Sequence, residues 1–103
     1  MDIKDLTSKL IQIRKTYSES FNIPISSDWY PIKISEEVGE MCSAYLSLTK
    51  RARPKGELPD LLTQNLADEI ADVIAMTLLF AESQNIDIEK AIEDKWFKYL
   101  NRK

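Results

Sequence analysis

Apolar residues recur along this chain at alternating steps of three and four, the spacing of a helix and not of a strand. Ile3, Leu6, Leu10, Ile13 and Tyr17 set the first such stripe and predict a helix over about residues 3–20, with Asp2 or Asp5 as its cap. Phe21–Asp28 reads as a connection, because Pro24 opposes continued helix and Ser26, Ser27 and Asp28 favour turns or caps. Trp29-Tyr30-Pro31 opens a second helix with proline in its first turn, and Ile34, Val38, Met41, Tyr45 and Leu48 carry its stripe to about Lys50. Lys50–Gly56 then breaks the pattern through Pro54 and Gly56.

A third helix follows from Pro59-Asp60 to about Gln84, with Leu62, Leu66, Ile70, Val73, Thr77 and Phe80 in phase. Leu61, Ile74, Leu78, Leu79 and Ala81 widen that stripe until the second half is apolar nearly all round. A helix of that kind is surrounded by other helices, and in so short a chain this predicts a partner subunit. Asn85 suits a left-handed closing residue and Asp87 a cap for a fourth helix, about Ile88 to Leu100. No segment alternates as a strand. The expected fold is all-α, a compact bundle of about four helices forming one domain over residues 1–103 and completed by oligomerisation.

Composition removes several chemistries. The chain has no His, which excludes Ser-His-Asp and Cys-His catalysis and the usual His-containing zinc sites. Its single cysteine, Cys42, cannot form an internal disulfide and is expected to behave as a small buried or half-buried hydrophobe. A net charge of −3 gives no global basic field of the kind nucleic-acid binders carry, so no nucleic-acid polymer is expected as a partner. The charged start Met1-Asp2-Ile3-Lys4-Asp5 does not read as a signal peptide, and the most apolar run, Ile70–Ala81, falls short of the roughly 20 residues that span a bilayer. The expected location is cytoplasmic, with no membrane partner.

Two acid clusters then stand out: Glu36-Glu37-Val38-Gly39-Glu40 and Asp68-Glu69-Ile70-Ala71-Asp72. At about 100° per residue from Ile34, Glu37 falls near roughly −60° and Glu40 near roughly −120°. Measured from Leu66, Glu69 and Asp72 fall at the same two angles, while Glu36 and Asp68 turn to the far side. Antiparallel packing of the two helices would therefore bring Glu37, Glu40, Glu69 and Asp72 together at the edge of the core. Four like charges at close range need a proton or a cation, and a carboxylate-only set suits Mg²⁺ or Mn²⁺. Gly39 inside a helix marks close packing or space for a ligand. Trp29 is either an anchor at the end of the bundle or a wall of a ligand pocket. The basic loop Lys50, Arg51, Arg53 and Lys55 is either solvated or a source of positive charge for a phosphate group.

Glu37-Val38-Gly39-Glu40 and Glu69-Ile70-Ala71-Asp72, with 28 residues between them, resemble the paired acid motif of the MazG-type all-α nucleoside triphosphate pyrophosphohydrolases. The adjacent Glu36, the upstream Trp29, the Lys50–Lys55 loop, Asn85-Ile86-Asp87, Lys95 and Arg102 extend the resemblance over roughly residues 28–103. Tyr99 departs from it, standing where that family commonly has Asn. The resemblance implies Mg²⁺-dependent hydrolysis of a nucleoside or deoxynucleoside triphosphate to the monophosphate and pyrophosphate, with nucleotide-pool cleaning as the family's usual role. It implies Glu37, Glu40, Glu69 and Asp72 as metal ligands, and Glu36 or Glu40 as the group that orients or deprotonates water. Trp29, Lys50, Arg51, Arg53, Lys95 and Arg102 are the implied substrate contacts, in a homodimer or homotetramer. Phosphoribosyl-ATP pyrophosphohydrolases share this fold and part of the motif, and a non-catalytic helical module of the same fold is the alternative from another class.

Overall fold

A computed structural model describes residues 1–101 and is all-α, with four α-helices and no strand among those residues. The helices are α1 (Ile3–Phe21), α2 (Trp29–Leu48), α3 (Leu62–Ser83) and α4 (Ile88–Trp96). Two short 3₁₀ segments flank them, Pro59–Leu61 before α3 and Phe97–Asn101 after α4. The fourth helix is therefore shorter than its apolar spacing predicts, because its last turns tighten to the three-residue repeat common at helix ends. Proline at the start of Pro59–Leu61 sets φ for the turn that leads into α3.

The helix ends follow from their sequences. The Asp2 carboxylate accepts the Asp5 N–H at 2.8 Å and caps α1, and Asp87 accepts the Lys90 N–H at 3.1 Å and caps α4. Three helices close in one way, with a residue in the left-handed region followed by a backbone bond across six residues. Asn22 (φ 52°), Lys50 (φ 60°) and Asn85 (φ 57°) take the left-handed position. The closing bonds run from Ile23 N–H to Ser18 at 3.1 Å, Arg51 N–H to Leu46 at 2.8 Å and Ile86 N–H to Ala81 at 2.9 Å. Asn tolerates this conformation, whereas Lys50 holds it at a cost of about 1–2 kcal/mol.

The chain forms two compact units. One is Asp28–Thr77, containing α2, the connecting loop and the N-terminal part of α3. Within it, hollows lined jointly by Glu40 and Glu69 and by Ser47 and Leu62 show the two helices running antiparallel. Among its described residues the buried side chains are Tyr30 and, against the usual preference of carboxylates for water, Glu37. The other unit joins Met1–Ser27 to the stretch from Leu78 onward. Among its described residues the buried side chains are Leu78, Leu79 and Ala81 on the last turns of α3, and Arg14 of α1 pairs with Glu82 at 3.3 Å. Full burial of each leucine contributes about 1.5–3 kcal/mol.

Many apolar positions stay open to solvent, Tyr45, Leu46, Ile70 and Ile74 among them. Cys42 is exposed, contrary to the expectation of burial. It lines an open apolar groove with Met41, Tyr45, Leu46, Leu66 and Ile70. No helix among the described residues is long and apolar enough to cross a membrane.

Candidate metal and nucleotide site

The antiparallel pairing of α2 with α3 sets the borders of their apolar stripes against each other. One carboxylate oxygen from each of Glu37, Glu40 and Glu69 lies within 4.8 Å of the other two. Glu37 is buried, Glu69 half-buried and Glu40 exposed, so the cluster opens from the core toward solvent. Asp72 stands outside this set and is exposed, yet its charge still acts on both Glu37 and Glu69.

Glu37 Oε2 and Glu69 Oε2 are shut off from solvent and have no hydrogen-bond partner among the described residues. Leaving a buried polar atom unsatisfied costs about 1–3 kcal/mol, and more for a charged group. Both carboxyls are accordingly held above the ordinary carboxylate range. For Glu37 the first cause is burial, followed by the charges of Glu40 and Asp72, partly offset by Lys33, with Glu69 adding a smaller push. For Glu69 burial again leads, then the charges of Glu40 and Asp72, a hydrogen bond shared with Glu40, and Asp68. Lys33 Nζ lies 2.7 Å from Glu36 Oε1 and 3.7 Å from Glu37 Oε1. It therefore engages one oxygen of Glu37 while the other, Oε2, is the orphan.

Three clustered carboxylates with two orphaned oxygens fit a hard divalent cation. The donors are oxygen alone, their charge demands a cation, and the orphaned atoms gain the partner they lack. Mg²⁺ and Mn²⁺ match this donor set, and the cluster by itself does not choose between them.

Beside the acids is a cavity of about 260 Å³, lined by Glu40, Asp68 and Glu69, by Ser43, Ser47 and Asn65, and by Lys55 and Glu57 of the loop. A second hollow shares Ser47, Glu57 and Leu62 with it and is lined by Lys50, Arg53 and Pro54. Helical phase places Asp68 on the far side of α3. It instead borders the cavity, because the loop returns past this face and builds a wall there, and its Oδ1 accepts a bond from Gln64 at 2.8 Å. Lys55 was one basic residue among several in the sequence and had no signal to set it apart. Ser43, Ser47 and Asn65 likewise carry no motif.

The other candidate residues separate by place. Glu36 is exposed and ion-paired with Lys33. Trp29 is half-buried at the start of α2, with its ring edge-on to Tyr30 at 5.4 Å. Arg51 donates from Nε to Thr49 Oγ1 at 3.0 Å and lies over the Tyr45 ring at 5.6 Å. Lys95 is exposed on α4, in the other compact unit. Arg102 lies outside the described residues.

No curated protein and no solved structure matches the chain. The family model of the MazG nucleotide pyrophosphohydrolase domain matches residues 29–103. Its first residue is the first residue of α2, so the match takes in both acid-bearing helices and leaves out α1. A match over most of the chain, carrying both halves of the carboxylate cluster, places this protein in the MazG nucleotide pyrophosphohydrolase domain family.

Proposed function

We propose that the chain hydrolyses a nucleoside or deoxynucleoside triphosphate to the monophosphate and pyrophosphate, with Mg²⁺ held by Glu37, Glu40 and Glu69 and supported by the charge of Asp72. The observation that carries this reading is the pair of orphaned buried oxygens, Glu37 Oε2 and Glu69 Oε2, inside a cluster of three acids. Bound there, the ion supplies positive charge to phosphate oxygens and lowers the pKa of a water. Mn²⁺ serves the same donors.

The chain's own residues supply the rest. Glu37 and Glu69 fix the buried end of the site, with Lys33 holding the outer oxygen of Glu37. Water forms a new bond to the α-phosphorus, the bond from that phosphorus to the bridging oxygen breaks, and pyrophosphate departs. Glu40 is exposed at the cavity wall and is the carboxylate placed to orient the water and accept its proton. Glu36, engaged by Lys33, is less suited to that role. Lys50 and Arg53 border the neighbouring hollow and lend positive charge to substrate there. Arg51, Trp29 and Lys95 are assigned to substrate on the family pattern, Trp29 as a flat surface for a base.

The open groove at Met41, Tyr45, Leu46, Leu66 and Ile70 supports a homodimer or homotetramer, in which a second copy covers the exposed apolar positions. One catalytic domain over residues 1–103, acting in the cytoplasm to clean the nucleotide pool, completes the reading. The test is pyrophosphate release from a panel of ribo- and deoxyribonucleoside triphosphates, damaged nucleotides and phosphoribosyl-ATP, with and without Mg²⁺. Mg²⁺-dependent release from at least one nucleoside triphosphate is expected. No release from any, together with no Mg²⁺-dependent thermal shift, would leave a non-catalytic module.

A further inference from the structure

A larger cavity, of about 500 Å³, lies in the compact unit that carries neither acid motif. It is lined by α1, by the last turns of α3 and by the start of α4, and shares no residue with the carboxylate cluster. Local sequence builds it. Ile3, Thr7 and Ile11 follow at steps of four and present one face of α1. The apolar stripe of α3 runs on to Leu78 and Ala81, which are buried. Asn85 then turns the chain in the left-handed conformation, at φ 57°, so that Ile86 and Ile88 return to the same cavity.

Its volume falls inside the roughly 300–1,000 Å³ of small-molecule sites. Leu78 and Ala81 form a buried floor, and Ile3, Ile11 and Ile88 are half-buried around it, so the body of the ligand is apolar. Among the described lining residues there is no aromatic ring. That leaves no surface on which a base could stack and no aromatic cage for a quaternary ammonium, and favours an aliphatic body.

Charge selects the other end. The lining carries three acids, Glu82, Asp87 and Glu89, and one cation, Lys4. Glu82 is ion-paired with Arg14 at 3.3 Å. Three acids against Lys4 and Arg14 leave one net negative charge. Asp87 spends Oδ1 on the Lys90 N–H, at 3.1 Å. An ammonium group answers that single charge and donates up to three hydrogen bonds to carboxylate oxygens.

We propose that this cavity binds an aliphatic amine, its methylene chain on the floor of Leu78 and Ala81 and its ammonium at Asp87 and Glu89. This binding does not depend on hydrolase activity.

The probes are n-hexylamine, n-butylamine and hexanoate, titrated into the ¹⁵N-labelled full chain and followed by amide NMR. Hexylamine should move the amide signals of Ala81, Ile86 and Glu89. Butylamine should bind about tenfold more weakly, since each of the two missing methylenes is worth about three- to fourfold when buried. Hexanoate should be weaker than hexylamine by about tenfold or more, because its charge meets the acids. Two variants carry the test further. Asp87→Asn with Glu89→Gln keeps a capping side chain for α4 and should weaken hexylamine about fivefold. Ser8→Leu fills the cavity from α1 and should abolish binding. All three positions are exposed, and circular dichroism verifies that the helices are retained.

Hexanoate binding as tightly as hexylamine overturns the amine assignment, as does equal hexylamine affinity in wild type and the Asp87→Asn, Glu89→Gln variant. Unchanged affinity in Ser8→Leu places the ligand elsewhere and overturns the site. So do signals that move only along α2, or no movement at probe concentrations in the tens of millimolar, the result expected if a second copy of the chain covered the cavity.

Discussion

Replacing Glu69 by Gln should abolish Mg²⁺-dependent turnover and yet raise the metal-free melting temperature. The size of that rise follows from the cluster. Glu69 has two acidic neighbours, Glu37 and Glu40, with oxygens within 4.8 Å. At that separation two unit charges repel by about 3.5 kcal/mol at an effective dielectric of about 20, and by about 0.9 kcal/mol in water. Glu40 is exposed, so its pair lies near the lower figure. Protonation relieves part of the remainder, since each unit by which a pKa rises is worth about 1.4 kcal/mol. A net gain of about 1–3 kcal/mol remains, or about 5–15 °C for a chain of this size. The amide of Gln also keeps a donor for Glu40, so packing is little disturbed.

Thermal unfolding of both proteins, with and without excess Mg²⁺, is the assay. Without metal the variant should melt higher. At a hundredfold excess over Kd, Mg²⁺ should add about 2.7 kcal/mol to wild type and far less to the variant, so their order reverses. A fall in the variant's metal-free melting temperature would make Glu69 a structural residue. Equal Mg²⁺ shifts in the two proteins would remove it from the metal set.

Glu37 and Glu69 hold protons more tightly when folded, so their contribution to stability is present below the ordinary carboxylate value of about 4.5 and is lost as pH rises through their raised folded values. The Mg²⁺-induced rise in melting temperature should therefore grow from pH 5 to pH 8, and a gain that is flat across that range would contradict the crowded-acid account. Lys33→Met removes the one cation that lowers the Glu37 value, so the acid limb of the pH–rate profile should move to higher pH; an unmoved limb would show that Lys33 does not act on the site. Gly39 has no atom within 4 Å of where a Cβ would stand. Gly39→Ala should therefore raise metal-free stability by about 1 kcal/mol, measured by denaturant unfolding, and a loss would show hidden close packing.

Helix positions were largely legible in the sequence because an apolar stripe of period 3.6 needs no tertiary information. The start of α2 at Trp29 and the left-handed close at Asn85 were readable from local chemistry. The end of α2 was readable to within two residues, but its closing conformation was not, because Lys50 takes the left-handed position that Asn or Gly usually fills. The final turns after Trp96 tighten to 3₁₀ without a proline or glycine to announce it. Gly39 marks open space, where the sequence left close packing as an alternative.

At the site, helical phase was enough to bring Glu37, Glu40 and Glu69 to one border, because phase depends only on residue number. It could not place Asp68, Lys55 or Glu57, which meet at the cavity through the path of the α2–α3 loop. Phase also assigned Asp72 to the cluster, whereas its oxygen stands outside the three that gather. An angle on a helical wheel carries no information on how far a side chain lies from its partner helix. Cys42 was misread for a related reason: an apolar stripe reports which side chains seek burial, and α2 keeps an open groove along that stripe.

Hydrolysis at the α-phosphorus is defined by where water enters. The chain should be incubated with Mg²⁺ and nucleoside triphosphates in heavy-oxygen water, and the products separated and weighed by mass spectrometry. The expected result is equal amounts of monophosphate and pyrophosphate, the label in the monophosphate, and no reaction without divalent metal. Label in the pyrophosphate, orthophosphate as the first product, or turnover indifferent to Mg²⁺ would contradict hydrolysis at the α-phosphorus by this carboxylate site.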